Sequence, residues 1–268
     1  MLRISSGFSL IPNPRGVIDL LPPGETPSGN GYLVRCTVVQ FKSIPAVPVW
    51  LSLTGGYVDT AGYVALQGLF TAHVTGNFVT LGASLMSGSS GTLAKLLALP
   101  TFCVVVVVTR LLNCGLPARG LPPLRTLLIL KVTLLAAAAA LALRFGPFPD
   151  GDSGPALATG LTLVAAMAIQ NAVHRIHLGS APPTTLMTGT TTQIMIDVTD
   201  LTRDLPADQK QVARTRLARM TASVLAFAFG CALAALLYSR AGIYCFVLPP
   251  LLGIGTLVLQ SKETPVAT

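Results

Sequence analysis

Long apolar runs and two short half-polar segments alternate along this chain. Six runs of about 20 residues, Val47–Gln67, Leu93–Cys114, Thr126–Arg144, Ala156–Leu178, Met220–Tyr238 and Ala241–Gln260, are long enough for an α-helix to cross a hydrocarbon core ~30 Å thick. They are predicted to be membrane spans. Val104–Val108 and Ala136–Ala140 offer no polar side, which argues against a soluble bundle whose helices keep charged outer faces. The short segments follow another rule. After Gly76, the residues Asn77, Thr80, Ser84 and Ser87 fall at i, i+3, i+7 and i+10, one face of a helix, with Val79, Leu81 and Leu85 off it. After Gly189, the same spacing recurs 113 positions later as Thr190, Gln193, Asp197 and Asp200, with Ile194, Val198 and Leu201 on the other side.

The sequence around each glycine repeats more loosely. Phe70-Thr71-Ala72-His73-Val74-Thr75-Gly76-Asn77 and Pro183-Thr184-Thr185-Leu186-Met187-Thr188-Gly189-Thr190 share only Thr71/Thr184, Thr75/Thr188 and Gly76/Gly189. The expected short helices, Asn77–Gly88 and Thr190–Thr202, would each rise roughly 18–20 Å, too little to cross a bilayer alone.

Charge then decides topology. If both short segments crossed, giving eight spans, Arg110, Arg119 and Arg125 would flank an outside loop while Asp150 and Asp152 lay inside, against the positive-inside rule. If each enters and leaves on one side, Arg35, Lys42, Arg119, Arg125, the His174-Arg175-Ile176-His177 cluster and the Arg203–Arg219 stretch all become cytoplasmic and the two aspartates face out. The expected fold is therefore all-α, a polytopic membrane helix bundle. It has six full spans plus two broken or re-entrant Thr-Gly segments, in the inner membrane with both termini cytoplasmic. Three spans and one broken segment make a unit. Because three is odd, a second repeat (156–262) would lie upside down relative to the first (46–145), as in transporters whose broken helices meet near the midplane. Residues 1–45, with six prolines and no apolar run of signal-peptide length, are expected to be a disordered extension, with Leu33–Phe41 a short strand-like or surface piece.

Composition agrees with a bilayer. Hydrophobic residues make up 51% of the 268 and charged ones 10%, where a soluble domain carries about 25%. The net charge of +8 gathers in the proposed cytoplasmic loops and lacks the aromatic interleaving of single-strand binders, so no nucleic-acid partner is expected. Five cysteines without C-x-x-C spacing read as packing residues, and no metal or cofactor is expected.

Candidate chemistry sits on polar groups inside these apolar stretches. Asp59, flanked by Gly55 and Gly62 on a strip that lets another helix approach, is the first candidate for a proton- or ion-handling carboxyl. A second reading makes it a cap for broken backbone. His73 is either a proton relay beside a carboxylate or a turn cap. Asn171, 112 positions after Asp59, is its candidate uncharged counterpart, while His174 and His177 read as interfacial anchors. Thr75, Gly76, Asn77, Thr188, Gly189 and Thr190 are candidate backbone and side-chain ligands for a solute at the breaks, with Gln193 and Asp197 on the second stripe. Lys131 is expected to reach the interface along its stem.

Gly55-Gly56-Tyr57-Val58-Asp59, followed by Gly68-Leu69-Phe70 and the Thr71–Asn77 motif, resembles the signature of the YoaK family of small bacterial integral-membrane proteins over roughly residues 46–260. The resemblance implies a six-span bundle of unassigned function, sometimes taken for a permease. Three function classes follow: a permease for a small solute or ion, favoured by the broken segments; a non-transporting membrane scaffold or partner-binding protein; and an intramembrane enzyme. The last lacks any H-E-x-x-H, G-x-S-x-G or paired His/Cys set. The expected partners are the lipid bilayer and the solute, with a homo-oligomer left open.

Overall fold

A computed structural model describes residues 2–3, 9–12, 18–21, 46–204 and 206–263. The chain divides into two units, 1–43 and 44–268. Within the first, strands β1 (Leu2–Arg3), β2 (Ser9–Pro12) and β3 (Ile18–Leu21) pair antiparallel, Leu10 lying opposite Leu2 on one side and Leu20 on the other. The rest of the 45-residue stretch expected to be disordered, Leu33–Phe41 included, lies outside the described residues.

The second unit is helical. Its elements run α1 (Ala46–Ala65), α2 (Gly76–Ser87), α3 (Thr92–Gly115), α4 (Pro123–Phe145), α5 (Gly154–His177), α6 (Met187–Leu201), α7 (Ala207–Ala241) and α8 (Leu248–Glu263). Among the described residues four stretches are long and apolar enough to cross a membrane: Thr92–Gly115, Pro123–Phe145, Gly154–His177 and the joined Ala207–Lys262. All six apolar runs of the sequence are helical. Residues such as Val104, Val107 and Leu111 on α3 and Leu225 and Phe229 on α7 are exposed, an outward apolar surface suited to lipid. In each half a helix of 20 or more residues is followed by a shorter one, α2 with 12 residues and α6 with 15.

Several prolines and glycines punctuate the helix ends, while Pro100 lies inside α3. Pro123 and Pro155 stand in the first turns of α4 and α5, where the missing N–H has no intrahelical acceptor to lose. Gly88, at φ 64°, closes α2 by turning its N–H onto the Ser84 carbonyl. Gln67 and Gly68, at φ 54° and 83°, reverse the chain after α1.

Hydrogen bonds fix which helix ends meet. The Gln67 amide donates to the carbonyl of Phe148 at 3.1 Å, and the Asp152 carboxylate accepts the N–H groups of Gly91, Thr92 and Ala94 at the start of α3. So the end of α1, the start of α3 and the α4–α5 loop share one end of the bundle. Ile243, just past α7, packs against Gly146 there. At the opposite end the His177 ring bonds Asn113 at 2.6 Å, and Val47, Leu116, Leu127, Val173 and Leu178 cluster.

The helices cross between halves. α1 packs on α7 and α8, α5 on α3 and α4, α2 on α3, α6 on α7, and α4 on α8. Small residues permit the tightest crossing: a Cβ on Gly56 would stand 2.1 Å from the Phe227 carbonyl oxygen, and one on Gly230 would stand 2.2 Å from that of Leu53. The close approach expected along Gly55 and Gly62 thus falls differently. A helix meets Gly56, whereas Gly55 faces the loop before α6 and Gly62 faces Thr71 of the loop after α1. Trp50 tethers α8 by donating its indole N–H to the Leu252 carbonyl at 2.7 Å.

Because the obstacle at Gly230 is backbone, Gly230→Ala should cost about 1–3 kcal/mol or more, read as a lower melting temperature in detergent. Gly82→Ala on α2, where a Cβ meets nothing within 4 Å, should be neutral or stabilising. Equal melting of the two variants would contradict this seam.

Candidate functional site

The loop between α1 and α2 turns back alongside α1 and is held there by Asp59. One carboxylate oxygen accepts the backbone N–H groups of Thr71 at 2.8 Å, Ala72 at 2.7 Å and His73 at 3.4 Å. The other oxygen stands 2.7 Å from Nδ1 of His73. The Thr71 hydroxyl donates to the Val58 carbonyl at 3.3 Å, at the level of Asp59 itself. Backbone that leaves helical geometry inside an apolar bundle has no water to bond, and a carboxylate with several lone pairs satisfies three such donors together. Asn77 completes the loop from its other end. Its side-chain oxygen accepts the Phe70 N–H at 2.9 Å and its NH2 donates to the Phe70 carbonyl at 2.8 Å, closing the turn from Phe70 to Asn77.

The second loop, between α5 and α6, uses neutral groups. The Thr185 hydroxyl donates to the Asn171 side-chain oxygen at 2.7 Å, so Asn171 accepts from this loop much as Asp59 does from the first. Gln170 donates to the Leu51 carbonyl of α1 at 2.9 Å and to the Thr184 hydroxyl at 3.2 Å, and accepts from the Lys131 ammonium at 2.6 Å. His174 lies buried and bonds the carbonyls of Ala181 at 3.2 Å and Pro182 at 3.0 Å, so it pins the loop rather than anchoring in an interface. Lys131 likewise does not reach the surface. It is 1% exposed, and its charge ends on the Gln170 amide.

The two loops meet across α1. Gly55 abuts Thr184 and Thr185, and the His73 ring stands beside the Thr185 backbone while lying edge-on to Phe227, ring centroids 5.4 Å apart. One polar constellation therefore joins Asp59, His73, Thr185, Asn171, Gln170 and Lys131.

The stripes on α2 and α6 face the third helix of their own half. The buried Ser84 hydroxyl accepts from the Lys95 ammonium at 2.7 Å. Asp197, 113 positions on and fully buried, is bound by both ends of the Arg216 guanidinium, Nε lying 2.8 Å from Oδ2, and accepts from Gln193 at 2.9 Å. Asp200 is half-buried.

Of the residues marked in the sequence, Asp59, His73 and Asn77 thus come together, Asn171 joins them through the second loop, and Gln193 and Asp197 form a separate pair on α6. Thr190 is buried, its hydroxyl donating to the Leu186 carbonyl at 2.8 Å. Thr75, Thr188 and Gly189 are exposed, and Gly76 is half-buried against Phe70. The second helix begins at Met187, so Thr188 and Gly189 lie within its first turn rather than at a break. Lys131, Thr184 and Thr185 belong to the constellation although their sequence context does not single them out. The signal for Lys131 was its depth, nine residues into an otherwise apolar helix. Among the described residues no group of three His, Cys, Asp or Glu side chains converges to hold a metal ion.

Residues 47–259 match a family described as "Protein of unknown function (DUF1275)", and the chain belongs to that family. No curated protein and no solved structure matches it.

Asn77 needs both its donor and its acceptor; Asp keeps only the acceptor and Leu has neither. Asn77→Asp should therefore destabilise by about 1–3 kcal/mol, the cost of leaving the Phe70 carbonyl unpaired beside a new charge. Thermal unfolding in detergent checks this. Unchanged melting would mean that the loop does not depend on the Asn77 clamp.

Proposed function

We propose that this chain is a YoaK-like permease of the inner membrane, moving a small solute or ion past the point where the two returning loops meet. In this reading α1, α3, α4, α5, α7 and α8 cross, and the segments 66–91 and 178–206 enter and leave on one side each. The observation that carries it is the pairing of His73 with the buried Asp59 carboxylate, where the first loop comes up beside Thr185 of the second. Irregular backbone at such depth is tolerated where it is buried in protein or lines a pathway, and ionisable groups there are commonly placed for ion or proton handling.

Three further features support the topology. The first loop descends from Gln67 to the level of Val58 and α2 carries the chain back toward Gly91, whose N–H is held by the same Asp152 that neighbours the α1 end. Arg119, Arg125, Arg175 and the Arg203–Arg219 stretch fall at the end of the bundle away from Asp150 and Asp152, which by the positive-inside rule is the cytoplasmic end. Both termini of the helical unit then face the cytoplasm. The packing scheme also keeps its form when α1–α4 are exchanged for α5–α8: α1 on α7 becomes α5 on α3, α4 on α5 becomes α8 on α1, and α4 on α8 maps onto itself. A two-fold relation between oppositely oriented halves requires that pattern.

A scaffold reading draws on the same site, because three backbone donors occupy one Asp59 oxygen. Asp59→Asn separates the two. Its remaining oxygen still accepts the Thr71 and Ala72 amides, so the fold should persist with little change in melting temperature, but the charge facing His73 is gone. In liposomes carrying a pH-sensitive dye, the wild type should couple solute entry to proton movement, and Asp59→Asn should fall to the level of empty vesicles. Solute flux by the variant equal to wild type would remove Asp59 from the mechanism. Absence of flux for every amino acid, organic anion and small ion that raises the melting point of the wild type would favour the scaffold.

A further inference from the structure

Apart from the Asp59–His73 constellation, a cleft of about 450 Å³ opens between the end of α1, the polar stripe of α2 and the start of α3. Its walls carry Gln67, Thr80, Ser84, Ser87 and Ser89, with Tyr63 and Ala83 as apolar panels, and Lys95 forms its floor. The Lys95 side chain is 4% exposed. Its ammonium donates to two neutral oxygens, the Ser84 hydroxyl at 2.7 Å and the Ser90 carbonyl at 3.4 Å. Among the described residues the ion pairs within 4 Å are His73–Asp59 and Arg216–Asp197, so no carboxylate closes on Lys95. Asp152 is the acidic group nearest in influence, and its oxygens are taken up by the N–H groups of Gly91, Thr92 and Ala94. A buried cation held by neutral groups retains an unmet preference for an anion.

The other half of the chain shows what meets that preference. At the position 113 residues after Ser84 stands Asp197, and the cation from the third helix, Arg216, is paired with it. In α6 and α7 the carboxylate is built in; in α2 and α3 a serine leaves its place open beside a cavity.

We propose that the Lys95 cleft is a binding site for a small monocarboxylate, whose carboxylate takes the place on Lys95 that Asp197 takes on Arg216. One ammonium balances one negative charge. The Ser84 hydroxyl, which accepts from Lys95, keeps its own proton to donate to a further lone pair, and Tyr63 with Ala83 faces a short apolar body. The volume suits a small organic acid. The site is distinct from the Asp59 constellation, and its occupancy is measured at equilibrium, so it stands or falls apart from the permease reading.

Equilibrium dialysis of radiolabelled butyrate against the purified full chain in detergent, at constant ionic strength, tests the proposal. Wild type is expected to bind saturably. Lys95→Met, which removes the charge and keeps the stem, and Ser84→Asp, which supplies the missing carboxylate internally, should each weaken binding by at least about tenfold. Ser84→Asp should also raise the melting temperature, a readout that shows the variant folded with its site closed. Saturable butyrate binding that both folded variants retain would overturn the proposal, as would no binding by the wild type. Displacement of butyrate by equimolar chloride would overturn the carboxylate class.

Discussion

Everything in the helical unit is arranged around one requirement: backbone that leaves helical geometry inside an apolar bundle must find hydrogen-bond partners within the protein. Asp59 answers it for the first loop by accepting three consecutive N–H groups on one oxygen. An unpaired buried amide costs about 1–3 kcal/mol, so one side-chain oxygen placed to meet all three is what lets the loop leave helical geometry there. The carboxylate then carries a charge that must itself be compensated, and His73, brought round by the very loop that Asp59 holds, stands against its second oxygen. Loop, carboxylate and histidine are mutually dependent, and Phe70, Thr71, His73 and Asn77 act with them as one unit: Asn77 fixes the base of the turn whose tip Asp59 holds.

The second half solves the same problem with less charge at the loop and more on the short helix. Asn171 and Gln170 bind threonine hydroxyls where Asp59 binds amides, and His174 holds the carbonyl side of the turn. In exchange, α6 buries Asp197 beneath the exposed Arg216 where α2 buries only Ser84 with Lys95. The two halves therefore share a scaffold and differ in where their charges lie.

Helix positions were largely legible in the sequence, because an uninterrupted apolar run has few alternatives to a helix in lipid. Val104–Val108 and Ala136–Ala140 lie within α3 and α4, and the stripes of Asn77 and Thr190 lie on the two short helices. The kinship of Asn171 with Asp59 was legible too, from spacing alone. What spacing could not carry was the path of the loops. Thr184 and Thr185 look like ordinary turn residues, and only the fold places them against Gly55 and His73. Lys131 misleads for a related reason. A long side chain near a helix end usually reaches water, but here Gln170 of a neighbouring helix provides an acceptor at depth. Thr188 and Gly189 were marked by repetition, yet the helix starts before them and leaves them on its surface.

The account rests on the segment from Gln67 to Gly91 entering and leaving on one side. In a cysteine-free background, single cysteines at Ser89, Asp150 and Arg119, probed in intact cells and in inverted vesicles with a membrane-impermeant maleimide, measure this directly. Ser89→Cys and Asp150→Cys are expected to label from the same face, outside, with Arg119→Cys labelling only from the cytoplasmic face. Labelling of Ser89→Cys together with Arg119→Cys, opposite Asp150→Cys, would mean that α2 crosses the membrane, and the meeting of two returning loops would no longer describe this protein.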